Sequence, residues 1–282
     1  MKHLKTTHVL ALGILASLSG MAAAQDLPSQ VSIATEGTAA PWNFTSPDGK
    51  LEGMEIDLAN DLCARVKIKC EFQVQSFDGM IPGLLAKKFD LIMSGVTITA
   101  KREEVIAFSV PYVSDVISIA VMKNGDLAKL KNEGAVSLSE ASPERDAALK
   151  TIQEAMNGKT VGVQASSISA AFAKEYLKDV ATIREYKTTP DQNFDLQSGR
   201  IDAVISDNST IVTALKGPGG DTMEIVGPKF QGGIVGSGQG LGFRKEDTAL
   251  KQAFDTAIKA ASADGTVKKL TEKWFGTDIS VK

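Results

Sequence analysis

Residues 89–112 read Phe89-Asp-Leu-Ile-Met-Ser-Gly-Val-Thr-Ile-Thr-Ala-Lys-Arg-Glu-Glu-Val-Ile-Ala-Phe-Ser-Val-Pro-Tyr112. The apolar run Phe89 to Met93 suits a buried strand. A small polar turn, Ser94-Gly95-Val96-Thr97, follows it, and Thr99 is placed to cap a short helix that carries Arg102 in its first turn. Hydroxyls, free N–H groups at a helix start and a guanidinium therefore converge at one strand end. That set suits an anion, a carboxylate first, with phosphate and sulfate as alternatives.

The pattern extends outward from this unit. Val31-Ser-Ile-Ala-Thr35 alternates like a strand, and Leu58, Leu62 and Val66, with Ala59 and Cys63, recur at helical spacing after Gly53. Cys70 to Val74 reads as a strand, and Asp78 to Lys87 as a helix with Pro82 in its first turn. This βαβαβ rhythm predicts α/β layers on a largely parallel sheet. The rhythm then restarts. Thr160-Val-Gly-Val163 is a strand, followed by Gln164-Ala-Ser-Ser167 and an amphipathic helix bearing Ile168, Ala171, Phe172 and Tyr176. Pro190 to Ser198 is a helix stopped by Gly199, leading into Ile201-Asp-Ala-Val-Ile-Ser206.

That last segment echoes Phe89-Asp-Leu-Ile-Met-Ser94: a large apolar residue, Asp, further apolar residues, Ser. Two lobes of similar build are one account of the echo, and ordinary α/β grammar is the other. Residues 124–157 are expected as a surface excursion of the second lobe, with a helix starting at Ser142-Pro143-Glu144. Gly217-Pro-Gly-Gly220 is a turn. The glycine-rich stretch from Gly232 to Gly242 holds no phosphate-loop lysine and suits a return crossing between lobes better than a nucleotide site. Terminal helices carry Leu250, Phe254 and Ile258, then Leu270 and Trp274. The expected division is a signal peptide over 1–24, a first lobe over 25–114, a second over 115–230, and a return to the first over 231–282.

Composition narrows the chemistry. Lys2 and Lys5 precede an apolar run from Val9 to Leu18 and the small residues Ala22-Ala23-Ala24, the layout of a secretory signal peptide. An exported protein, periplasmic in location, is expected. The leader holds two of the 31 basic residues and none of the 34 acidic ones, so the rest carries 29 against 34, a balance of −5 that argues against nucleic acid. Both histidines, His3 and His8, lie in the leader. Its removal takes away Ser-His-Asp, Cys-His and His-ligated zinc chemistry together. No metal set, cofactor or catalytic group is expected. Cys63 and Cys70 favour a disulfide in an oxidising compartment, with metal or redox use the weaker alternative.

The candidate binding residues lie at strand ends, where α/β sheets hold ligands. One group is Ser94, Gly95, Thr97 and Arg102. Ser166 and Ser167 form a second, at a helix N-terminus, with Ser166 as a candidate cap. Asp207, just past a strand end, is placed to accept from an ammonium. Glu36, Trp42, Asn43 and Phe44 follow the first strand, Phe77 ends the second, and Gln164 ends a strand of the second lobe. Each has a plainer reading: a surface ion pair for Arg102, a turn with Asn208 for Asp207, core packing for Trp42 and Phe44.

Over its mature length the chain resembles the polar amino-acid-binding proteins of ABC importers, of the lysine/arginine/ornithine-, histidine- and octopine/nopaline-binding type. The resemblance rests on Ala34-Thr-Glu36 with Pro41-Trp-Asn-Phe44, Gly53-Met-Glu-Ile-Asp-Leu58, Cys63 and Cys70, Ile98-Thr-Ala-Lys-Arg102, Phe108-Ser, Gly162-Val-Gln164, Ser198-Gly-Arg-Ile-Asp-Ala203, Gly242-Phe-Arg-Lys-Glu-Asp247 and Lys273-Trp-Phe275. It implies a type II periplasmic-binding-protein fold: two lobes, two hinge crossings and a ligand in the cleft between them. It also implies that Ser94, Gly95, Thr97, Arg102 and Ser167 hold a carboxylate, that Asp207 holds an α-amino group, that Glu36 meets the side-chain end, and that Cys63 pairs with Cys70. The implied partners are a small amino-acid or opine ligand and a membrane permease, with the binder a monomer. Ala39 departs from the resemblance, standing where many relatives carry a stacking aromatic residue. A wider cleft favours an amino-acid conjugate such as an opine. A free basic or polar amino acid is the alternative, and a dehydratase-like enzyme on the same fold is the rival of another class.

Overall fold

The structure, a computed structural model, describes residues 27–281. The expected signal peptide lies outside the described residues. The chain opens with β1 (Gln30–Thr35), then a small antiparallel sheet of β2 (Thr38–Ala39), β3 (Asn43–Thr45) and β4 (Leu51–Glu52). Helix α1 (Met54–Val66) starts at Gly53, whose φ of 129° and whose absent Cβ both matter: a Cβ there would lie 2.3 Å from the Trp42 carbonyl oxygen. Glu55 and Asp57 in its first turn complement the positive end of the helix. Its other end is tied to β5 (Lys69–Val74) by the Cys63–Cys70 disulfide.

The expected helix from Asp78 to Lys87 is shorter. A 3-10 turn, Phe77–Gly79, precedes α2 (Met80–Leu85), which holds Pro82 in its first turn. The strand expected over Phe89 to Met93 narrows to β6 (Leu91–Ile92), although the flanking Asp90 and Met93 N–H groups still donate to β1, at the Ser32 and Ala34 carbonyls. Next come α3 (Ala100–Glu103), capped by Thr99, and β7 (Ala107–Phe108).

The chain then crosses to the second lobe. There it forms β8 (Ile117–Met122), β9 (Ala135–Ser137), α4 (Pro143–Ala155), β10 (Thr160–Gln164), α5 (Ile168–Tyr176), β11 (Thr182–Tyr186), α6 (Thr189–Gln197), β12 (Ala203–Asp207), α7 (Asn208–Ala214) and β13 (Met223–Gln231). Residues 124–157 are more than a surface excursion. β9 joins the sheet beside β13, and Ala148 and Ile152 of α4 enter the second core. The chain returns through β14 (Gly242–Phe243) and ends in α8 (Thr248–Ala263) and α9 (Thr266–Phe275).

The first sheet has the order β5-β1-β6-β14-β7 and the second β11-β10-β12-β8-β13-β9. Both are mixed: two of four strand pairs are parallel in the first and three of five in the second, where β9 also runs parallel to β13. β1 with β5 and β6, and β10 with β11 and β12, run parallel, but β14 and β8 insert antiparallel, because both belong to the crossings between lobes. The sequence echo has a structural counterpart. Asp90 accepts the Ser32 N–H and Asp202 the Thr160 N–H, each at 2.8 Å, so each Asp braces the start of the parallel strand beside its own.

Each lobe has its own core. In the first, Leu58, Leu62, Phe243, Phe254 and Ile258 are buried between the sheet, α1 and α8. Large apolar side chains buried this fully contribute roughly 1.5–3 kcal/mol each. Asp57 anchors α9 from outside, accepting from Trp274 Nε1 at 2.8 Å and pairing with Lys273 at 2.7 Å. In the second lobe Phe172 stacks on Phe230 at 4.8 Å among Ile119, Val163 and Ile152.

Candidate functional site

The C-terminal ends of β1, β6, β10 and β12 converge on one cavity between the lobes. It holds about 420 Å³ unfilled by protein atoms, its mouth included, and is lined by Glu36, Ala39, Trp42, Phe77, Ser94, Gly95, Thr97 and Arg102 from the first lobe and Gln164, Ser167, Ile168, Thr189, Asp207 and Thr210 from the second. Parallel strands place their following loops on the same side, so this convergence follows from the topology.

Arg102 is held rather than free to swing. Its Nη1 donates to the Thr97 carbonyl at 2.8 Å, its Nη2 to the Ser166 carbonyl at 3.0 Å, and its guanidinium lies 5.8 Å from the centre of the Phe77 ring. The Ser166 bond crosses between lobes. So does a second one, from Gln164 Nε2 to Glu36 Oε1 at 2.7 Å. The lobes therefore meet over the cavity.

Ser94 is buried, and its Oγ accepts from the Glu36 N–H at 3.0 Å and from Asn43 Nδ2 at 3.3 Å, which leaves its own proton to donate elsewhere. Gly95 lines the cavity at φ 59°, with open space where a Cβ would stand. Its N–H points away from the expected socket, however. It donates to Glu55 Oε1 at 2.6 Å, because a buried carboxylate stands directly behind the turn.

Across the cleft the cap assignment is corrected. Ser167, not Ser166, caps α5, accepting from the Ala170 N–H at 3.1 Å, while Ser166 sits in the left-handed region at φ 64° and offers its carbonyl to Arg102. The N–H groups of Ile168 and Ser169 in the first turn have no intrahelical acceptor. Asn43 is also displaced from its expected place. It stands behind the wall, its Oδ1 accepting from Glu36 and Gly37 N–H and its Nδ2 donating to Glu55 at 2.7 Å. Phe44 turns away to meet Trp274 edge-on at 5.9 Å. Trp42 does both jobs open to it: it lines the cavity and packs on Phe275 at 4.7 Å.

The charged groups are strongly biased by burial. Asp207, with Oδ1 sealed from solvent and unpartnered, has its carboxyl pushed up to about 8 by desolvation and by the neighbouring charge of Asp115, with Arg102 opposing. Burial brings Arg102 down to about 10, partly offset by Asp207, so it stays a cation at neutral pH. Glu36 is raised by burial, with bonds from Gln164 and Thr38 pulling the other way. The cavity thus presents a cation and hydroxyl donors on the first lobe, and an unpartnered acid on the second. Among the described residues no group of His, Cys, Asp and Glu is placed to hold a metal ion.

Sequence reasoning missed Ile168, Thr189 and Thr210. Thr210 stands three residues after Asp207 in the first turn of α7, a spacing that would have flagged it. Thr189 opens α6 after its Thr188 cap, and nothing local marks that helix as facing the cleft.

Two α/β lobes joined by two crossings, with polar strand ends facing one cleft, define the type II periplasmic-binding-protein class. The chain matches the model of bacterial extracellular solute-binding proteins, family 3, over residues 31–277 and belongs to that family. It is 42% identical to the octopine-binding periplasmic protein of Rhizobium meliloti, covering 98% of this chain and 99% of that one. It is 34% identical to the histidine-binding periplasmic protein of Escherichia coli strain K12, covering 96% and 97%. The solved structure of an ancestral arginine-binding protein bound to arginine superposes with a TM-score of 0.75 at 31% identity, covering 89% of this chain and all of that one. No helix among the described residues is long and apolar enough to cross a membrane.

Proposed function

We propose that this protein, exported to the periplasm and cleaved after Ala24, captures an amino-acid conjugate of the opine class and delivers it to an ABC-importer permease as a monomer. The observation that carries this reading is the placement of Arg102 and Asp207 on opposite lobes of one cavity. A ligand carboxylate meets Arg102 and the Ser94 hydroxyl; a ligand ammonium meets Asp207. Such a ligand bridges both lobes, binds the closed form better than the open one, and shifts the equilibrium by that difference in affinity.

Ala39 supports an opine over a plain amino acid. Its methyl group lines the cavity where a ring would fill it. An opine keeps an ammonium for Asp207 and adds a second acid group, for which the first turn of α5 has N–H donors to spare. The similarity to an octopine-binding protein points the same way. The function is capture without turnover: the carboxyls of Glu36 and Asp207 serve as ligand acceptors.

A thermal-shift panel of octopine, nopaline, arginine, ornithine, lysine and histidine tests the reading. A ligand at a hundred times its dissociation constant stabilises the protein by about 2.7 kcal/mol. Stabilisation by opines at micromolar concentration, with none from free amino acids, is the expected result. The reverse pattern assigns the cleft to a free amino acid, and chemical conversion of any ligand overturns the binder.

A further inference from the structure

Glu55 is fully buried and does not line the cavity, yet three separate segments of the first lobe donate to its carboxylate. Oε1 accepts the Gly95 N–H at 2.6 Å and the Tyr112 hydroxyl, and Oε2 accepts Asn43 Nδ2 at 2.7 Å. Asn43 cannot be turned over, because its Oδ1 already takes the N–H groups of Glu36 at 3.1 Å and Gly37 at 2.8 Å. The same Nδ2 reaches Ser94 Oγ. Tyr112 is equally buried and its backbone N–H donates to the Gln239 carbonyl at 3.0 Å, in the return crossing. Glu55 thus stands where the anion-binding turn, the loop after β1 and both crossings come together.

We propose that Glu55 is a positioning residue for the ligand carboxylate: by holding the Ser94–Thr97 turn and Asn43 against the first turn of α1, it sets where Ser94 and Arg102 point. This rests on the reading above that the turn and Arg102 receive a carboxylate. The chemistry is specific to an acid at this position. Three donors converge on it, so a carboxylate satisfies all of them, whereas a glutamine sets its own N–H against that of Asn43 or Gly95. An unsatisfied buried donor is costly, and the turn gives way to relieve it. The Glu-x-Asp spacing in the first turn of α1 then has a double use: Glu55 faces inward to the binding turn and Asp57 outward to α9.

Two variants and one direct observation test this. Neither Glu55→Gln nor Tyr112→Phe replaces a residue that lines the cavity, and both are measured against octopine, arginine and arginine amide. With a folded near-UV spectrum, each is expected to lose about tenfold or more in affinity for the ligand with a free carboxylate, and little for the amide. Unchanged affinity, or an equal loss for acid and amide, overturns the proposal. In ligand-free protein the Gly95 amide is expected to be protected from hydrogen exchange, with protection falling at least tenfold in Glu55→Gln. Equal exchange in both also overturns it. If wild type binds neither octopine nor arginine, the ligand reading fails, while the Gly95 measurement still decides whether Glu55 holds the turn.

Discussion

Gln164 of the second lobe donates through Nε2 to Oε1 of Glu36 on the first, at 2.7 Å, and both residues are buried. The bond exists only while the lobes meet. A hydrogen bond to a charged group contributes about 1.5–3 kcal/mol net, which corresponds to roughly ten- to a hundredfold in population. Gln164→Ala is therefore expected to lower the closed-to-open ratio of the unliganded protein by that factor, as read by an interlobe fluorescence pair. A ligand that leaves the bridge intact shows the same loss in Kd. A ligand that takes Glu36 for itself hides it.

Arg102 is the cation of the cleft, tied to Thr97 and reaching Ser166. Truncating one partner of a buried charged pair costs about 2–5 kcal/mol in binding. Arg102→Ala is expected to weaken ligand binding by roughly a hundredfold or more in titration calorimetry, with the protein still folded by circular dichroism. Full affinity in this variant would mean the carboxylate sits elsewhere. Arg102→Lys keeps the charge but lacks the planar fork, and only part of the affinity returns.

Asp207 is expected to make both stability and binding pH-dependent, in opposite senses. Its folded-state value, raised to about 8 from 3.8, means the folded protein prefers the neutral acid. The stability this contributes is full below about pH 4 and is lost as pH rises through about 8. Ligand-free protein is expected to melt progressively lower across that window, and Asp207→Asn to flatten the slope. An ammonium ligand favours the ionised acid, so its affinity rises with pH up to about 8, and binding at pH 7 releases close to one proton. Calorimetry in buffers of different ionisation enthalpy counts that proton; a count of zero removes Asp207 from the ammonium site.

The Cys63–Cys70 bridge closes the turn between α1 and β5. In the chain-entropy model a loop of this size stabilises by about 2–3 kcal/mol. Reduction is expected to lower the melting temperature measurably and to leave ligand affinity unchanged. Glu55 and the socket lie at the other end of α1, and eight residues of helix span about 12 Å.

Much of the architecture was legible along the chain because it is local. Strand alternation at Val31 to Thr35, the helical spacing of Leu58, Leu62 and Val66, and the Thr99 cap before Arg102 each depend on neighbours a few residues away. The paired Asp90 and Asp202 motifs were visible too, since each local grammar builds the same strand junction. Most of the cleft wall was found for the same reason: parallel strands deliver their C-terminal ends to one side.

The destination of individual polar groups was not legible. Gly95 and Glu55 are 40 residues apart, and no local pattern says that the Gly95 N–H turns inward to that carboxylate and away from the cleft. Ser166 and Ser167 are alike as letters; the left-handed backbone at Ser166 makes the other one the cap. β14 enters the first sheet antiparallel between β6 and β7 after more than a hundred residues spent in the second lobe, so the mixed sheet is a long-range fact. Local periodicity is written by burial on one face of a helix or strand and survives in one dimension. Hydrogen-bond partners and sheet neighbours are settled by which segments meet after the chain has folded back on itself, and at this cleft that meeting decides which donors remain for a ligand.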